Sequence, residues 1–428
     1  MRKTAIGCAL LVVLGVALTS CYSSKYNNPS RTKFRAFISN RLHPVTGGNV
    51  AAVEIVNATL DQLSFSPIGL GSTVPDVGPM DLAINKRVTA VYSPASNSFA
   101  LIDNTTEQAA LSTASLPDSS DSFFVAVDNK HLYAAVPNAP VTGAEPGAVI
   151  QIDLSTGNIS ATIPVPHVRT IARDRLEGHI LAFSDGSDSI TIIDPTKIGT
   201  GSDPRSAKGG FDRPVTAVFS AAGTPAYILN CGAPCGGTQA SVTALNLADN
   251  TLGATVPVPA ARAGNISGST LYVAGTPTGA DCGASSTSQA TTCGRVSVID
   301  GLSMTLLNSS EIIVTDGIPG HIELGTNGEL FVGATDCTNV NIPPSNNDPG
   351  EVRGCLAIVD TRTAKTVFPP ATGDVTGIAS VPGRDVVYAV QAGELAVYDT
   401  TTAKLLPHHQ TDIVGQLVDV KIVDNPPN

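Results

Sequence analysis

Three observations predict an all-β fold for this chain, a β-propeller of four-stranded antiparallel blades. The first is a recurring phrase, an apolar run stopped by Asp or Asn: VEIVN ending at Asn57, FALID at Asp103, VIQID at Asp153, ITIID at Asp194, VTALN at Asn246, VSVID at Asp300, LAIVD at Asp360 and LAVYD at Asp399. The copies lie 39 to 60 residues apart, a spacing that marks propeller blades. The second is composition, since 40 Gly and 30 Pro fit many turns between short Val-, Ile- and Ala-rich strands. The third is that the ends complete one another. Phe34 to Asn40 and Val50 to Asn57 read as strands B and C of a blade without its strand A, and Leu417 to Val423 reads as a strand A with nothing after it. Joining them closes the ring and removes a free sheet edge. Counting this composite gives eight blades, with seven as the alternative.

Taken in order, residues 1–20 read as an export signal. Arg2 and Lys3 precede an apolar run from Ala5 to Leu18, too short for a comfortable membrane span. Leu18, Thr19, Ser20 and Cys21 resemble the bacterial lipoprotein signal, which implies that Cys21 is lipidated and becomes the new N-terminus; an ordinary thiol beside a plain secretion signal is the other reading. Acyl chains stabilise membrane residence by roughly 0.8 kcal/mol per buried CH₂, so two or more anchor firmly. Tyr22 after the cysteine, where Asp would retain the protein at the inner membrane, implies by the same resemblance the outer membrane, facing periplasm or cell surface. Residues 21–33 are then a lipidated polar tether, and 34–428 a single propeller domain. No later segment approaches the roughly eighteen apolar residues of a span.

Each repeat divides into strands A to D. In the third, Ser122 to Val127 is A, His131 to Val136 is B, Val149 to Asp153 is C and Ile159 to Val165 is D. The fourth is the weakest, with no convincing strand D between Lys197 and Gly210. Clean apolar–polar alternation is missing because interior blades are covered on both faces. The B strands HLYAAV (131–136), TLYVAG (270–275), ELFVGA (329–334) and VVYAVQ (386–391), with the D phrases ATIPVP (161–166) and ATVPVP (254–259), resemble YVTN-type β-propeller repeat proteins. The resemblance covers nearly all of residues 34 to 424, speaks to fold more than to activity, and implies seven blades. Tyr133, Tyr272 and Tyr388 recur at equivalent B positions, as core packing requires. The absence of Trp argues against WD40 repeats, sialidases and quinoprotein dehydrogenases, by resemblance to those families.

Insertions fall between strands B and C, at 138–147, 231–239, 276–294 and 336–354, on the face shared with the D-to-A loops. Six cysteines sit there in neighbouring pairs: Cys231 with Cys235, Cys282 with Cys293, Cys337 with Cys355. Fifteen connectivities are possible and local disulfides are the simplest, in keeping with export. A metal site at Cys231 and Cys235 lacks a nearby His to complete it.

The D-to-A connections bring Asp76, Asp121, His167, Arg169, Asp212, Arg213, Arg262, Asp316, Asp374 and Asp412 towards the channel mouth, with His321 just inside a strand A. Asp121, His167, Arg169, Arg213, Arg262, Asp316 and His321 are the candidate ligand residues. The arginines suit an anionic or carbonyl-bearing ligand and the aspartates a cation; each Asp alone is equally a turn cap. His408 and His409 follow Pro407 beside a turn. The chain carries −11 net charge, 14% charged residues and no basic cluster beyond the signal, which excludes nucleic-acid binding. It has no G-x-S-x-G, H-E-x-x-H, Walker or calcium-loop motif, so no catalytic residue, cofactor or resident metal is assigned. The expected function is that of a monomeric, lipid-anchored binding or scaffold module for an envelope protein, a glycan or a small ligand. A lactonase-like hydrolase is the alternative, and periplasmic metal or electron-transfer work lacks ligands.

Overall fold

A computed structural model of the chain describes residues 30, 32–42, 50–63, 66–71, 74–110, 114–174, 176, 178–279, 293–308, 311–337, 340–342, 351–369, 371–406 and 412–424. Cys8, Cys21, Cys282, His408 and His409 lie outside them, as does the export signal. The described chain forms eight antiparallel blades, each with strands in the order A-B-C-D from the axis outwards. Neighbouring A strands contact one another all the way round, so the ring is continuous. Blade 1 is the composite that the sequence predicts. Its strand A, Gln416–Val423, pairs with strand B, Arg35–Leu42, from Arg35 opposite Val423 to Arg41 opposite Gln416, and B pairs in turn with Val50–Asn57.

The recurring phrase is strand C of every blade, and its final Asp or Asn builds the turn to strand D. In all eight copies the side-chain oxygen accepts the backbone N–H two residues ahead, from Thr59 to Asn57 in the first to Thr401 to Asp399 in the last. This local bond replaces a ladder bond and reverses the chain. Four residues past the Asx the backbone turns left-handed, at Asp61, Glu107, Gly157, Asn250, Met304, Ala364 and Ala403, which realigns the strands.

The middle strands B and C are buried on both faces, whereas strands A open one face to the channel and strands D lie outermost. Strand C of blade 3, Ala148–Asp153, is buried but for its last residue, whereas strand D, Asn158–Pro164, is largely exposed. The core is accordingly eight wedges, one apolar cluster in each seam between blades. Tyr133, Tyr272 and Tyr388 are buried in them. Two seams beside blade 1 also hold buried charge pairs. Arg35, fully buried, donates to Glu107 of blade 2 at 2.5 Å, and Arg384 of blade 8 makes a two-pronged bond to Asp61 at 2.5 and 2.8 Å, reinforced by the Tyr388 hydroxyl.

Two details differ from the expectation. Blade 4 does have a strand D, Arg205–Gly209, paired along its length with Ser189–Ile193. A 3-10 turn at Pro195–Lys197, capped by Asp194, delays it, and its polar, exposed residues carry no apolar signal. Blade 7 adds a small hairpin, Val340–Ile342 with Glu351–Arg353, between strands B and C. Cys231 is bonded to Cys235 and Cys337 to Cys355, each on a B-to-C insertion. Cys293 is disulfide-bonded as well.

Candidate ligand-binding site

Because each strand A begins on the face that carries the B-to-C insertions, the first side chains of the inner strands converge on one mouth. There they line a funnel of about 1010 Å³. Asp121, Arg169, Arg213, Arg262 and His321 are all in its wall, drawn from blades 3 to 7. The other two candidates stand apart: His167 is exposed and 3.8 Å from Glu145, and Asp316 is buried outside the lining.

The three arginines are not equivalent. Arg169 is clamped between two carboxylates, Asp121 at 2.5 Å and Asp185 at 2.6 Å, which hold its charge more firmly than usual. Arg213 meets Asp188 only at 3.7 Å, and its Nε is a buried donor without an acceptor among the described residues. It sits at a left-handed backbone position, φ 55°, that turns the loop towards the axis. Arg262 is exposed, and its side chain makes one hydrogen bond among the described residues, a weak donation from Nη1 to Cys235 Sγ at 3.5 Å; no carboxylate pairs with it among those residues. Positive charge in the funnel is thus satisfied at Arg169, loosely paired at Arg213 and open at Arg262.

The remaining loop aspartates are structural. Asp76 forms a two-pronged pair with Arg41. Asp212 accepts the backbone N–H groups of Thr238 at 3.0 Å and Gln239 at 2.7 Å, fixing the loop that Cys231–Cys235 closes, and Gly237 packs so tightly there that a Cβ would lie 1.8 Å from the Asp212 carboxylate. Asp374 accepts the Asp336 N–H at 3.0 Å, and Asp412 is exposed. The disulfide leaves neither Cys231 nor Cys235 as a thiolate for a metal.

Below the mouth lies a charged waist. Lys421 Nζ is 3.0 Å from Asp419, which also accepts the Met80 N–H at 2.8 Å. Asp81 accepts the Val125 N–H at 2.9 Å and lies 3.4 Å from Arg173, itself stacked over Phe124. Glu323 accepts from Ser380. Burial raises the Asp81 and Glu323 carboxyls above their usual range. Burial also opposes the Lys421 charge, but Asp419, Asp81 and Glu323 overcome it and hold the ammonium above its ordinary value. His321 is pushed down by burial against the pull of Asp419 and stays neutral at neutral pH. Charged residues at alternate positions within an inner strand, as in LVDVKIV, were the available signal: one face of that strand had to meet something other than a core. Among the described residues, no group of three or more His, Cys, Asp or Glu is arranged to hold a metal ion.

No family model matches the chain, and no curated protein matches it in sequence. Solved structures do resemble it. Hydrazine synthase of Kuenenia stuttgartiensis aligns with a TM-score of 0.55 and 13% identity over 76% of this chain and 96% of that one. A dihydro-heme d1 dehydrogenase in complex with DHE aligns with a TM-score of 0.59 and 12% identity over 95% of this chain and 78% of that one. A periplasmic gluconolactonase of Pseudomonas aeruginosa aligns at 0.49 with 14% identity, over 91% and 99%. At such identities the first two likenesses establish a shared propeller fold.

Proposed function

We propose that this protein is a cell-envelope lipoprotein of the YVTN-type propeller class, held at the outer membrane through Cys21, whose funnel binds a small anionic ligand. The observation that carries the binding reading is the pair of under-neutralised guanidiniums, Arg213 and Arg262, in a concave site of an otherwise acidic chain. A rigid ring of inner strands holds both in place before any ligand arrives, which lowers the ordering cost of binding. The disulfide-closed loops keep that face open. The anchor rests on the residues around Cys21 and the export signal before it.

Titration calorimetry of residues 26–428 with small carboxylates, at low and moderate salt, tests the site. Binding that weakens on the order of tenfold in Arg262→Gln and in Arg213→Gln is expected, from loss of a charge-assisted hydrogen bond. Affinity unchanged in both variants refutes it, and turnover of a panel of lactones replaces binding with hydrolysis. For the anchor, labelling with radioactive palmitate is expected in the full chain and absent in Cys21→Ser; equal labelling of the two refutes lipidation there.

A further inference from the structure

The funnel has an annex. Beside Arg262 the wall opens into a second cavity of about 180 Å³, and the two share Cys235, Arg262, Ile318 and Pro319. Its walls are small and apolar: the Cys231–Cys235 disulfide, Pro234 and Pro319, and the methyls of Ala260 and Ala261. Gly275, also in the wall, is needed for this packing, since a Cβ there would lie 2.7 Å from the Ala260 Cβ.

Each feature restricts the occupant. A cavity of roughly 150 Å³ with apolar walls accepts a benzene ring, so this one has room for a six-membered aromatic ring and little more. Disulfide sulfurs and proline rings favour an aromatic face over an aliphatic chain. The guanidinium at the cavity's edge meets a carboxylate on that ring. We infer that the ligand is an aromatic carboxylate, its carboxylate on Arg262 at the funnel and its ring in the annex. The inference rests on the anionic-ligand reading above and specifies the ligand's chemical class.

The test is a calorimetric panel on the unaltered propeller with acetate, benzoate and phenol, repeated on Arg262→Gln. Benzoate is expected to bind on the order of tenfold more tightly than acetate through burial of the ring. Benzoate affinity should fall on the order of tenfold in Arg262→Gln, from loss of the charge-assisted bond. Acetate binding as well as benzoate overturns the aromatic assignment and leaves the anion site standing. Phenol binding as well as benzoate, with both indifferent to Arg262→Gln, overturns the anionic reading instead.

Discussion

Replacing Asp61 by Asn should loosen the seam at which the ring closes. The Asp61 carboxylate is 1% exposed and takes both prongs of the Arg384 guanidinium, at 2.5 and 2.8 Å, together with the Tyr388 hydroxyl. Among the described residues it is the one carboxylate paired with Arg384, whose side chain is itself only 25% exposed. Asn is the right substitution because Asp61 sits at φ 54°, a left-handed position that Asn adopts more readily than most residues, and because Asn keeps the shape of the side chain. The change thus isolates the charge from backbone strain. Removing one partner of a buried pair leaves the other uncompensated and costs about 3 kcal/mol. With a melting entropy of about 2.1 cal/mol/K per residue over roughly 390 residues, that lowers Tm by about 4 °C. Circular dichroism melts at pH 7 measure it, and the pair Asp61→Asn with Arg384→Met should recover part of the loss, since no unpaired charge is then left. A fall below about 1 °C, or simple additivity in the double variant, would show that the apolar cluster of this seam alone closes the ring.

Other outcomes follow from single contacts. Tyr398 is fully buried, its hydroxyl has no partner among the described residues, and burial pushes its pKa up to about 12; Tyr398→Phe should therefore raise stability by about 1 kcal/mol in denaturant unfolding. A measured loss above that size would place an unseen partner on the hydroxyl. Asp203 is held down to about 2 by its bonds to Arg205. Because its folded value lies below the ordinary 3.8, it contributes stability above that pH and loses it as pH falls from 3.8 towards 2. Carboxyl NMR titration should place the Asp203 midpoint near 2, and a midpoint near 3.8 would dismiss the pairing in solution. The Asx carboxylates Asp153, Asp194, Asp300 and Asp360, lowered by hydrogen bonds from the turns they cap, add to the same acid limb. Gly237→Ala should free the Cys231–Cys235 loop by colliding with Asp212, seen as faster amide exchange at Thr238 and Gln239 with exchange in the blade cores unchanged.

The sequence by itself determined what local chemistry and repetition control. An apolar run needs a strand, an Asp or Asn at its end can bond the backbone two residues on, and a half-blade at each terminus has an unpaired edge to satisfy. From these the number of blades, the turn at every strand C and the closure between Arg35–Leu42 and Gln416–Val423 were legible. Counting loops along an antiparallel blade also placed Asp121, Arg169, Arg213, Arg262 and His321 at one mouth. Strand D of blade 4 was not legible, because an outer strand buries almost nothing and so needs no apolar pattern.

Only the tertiary structure decided which charges meet. Arg169 is neutralised by Asp121 and Asp185 while Arg262 is left open, and a difference of that kind depends on distances of a few ångströms between different blades. The waist of Asp81, Arg173, Glu323, Asp419 and Lys421 joins residues up to hundreds of positions apart. Each looked like a stray polar residue in its own strand, and the ring alone turns those strands so that the same face of each looks onto the axis. The annex beside Arg262 is likewise a gap between blades, set by how closely Gly275 and Ala260 approach rather than by any phrase in the sequence.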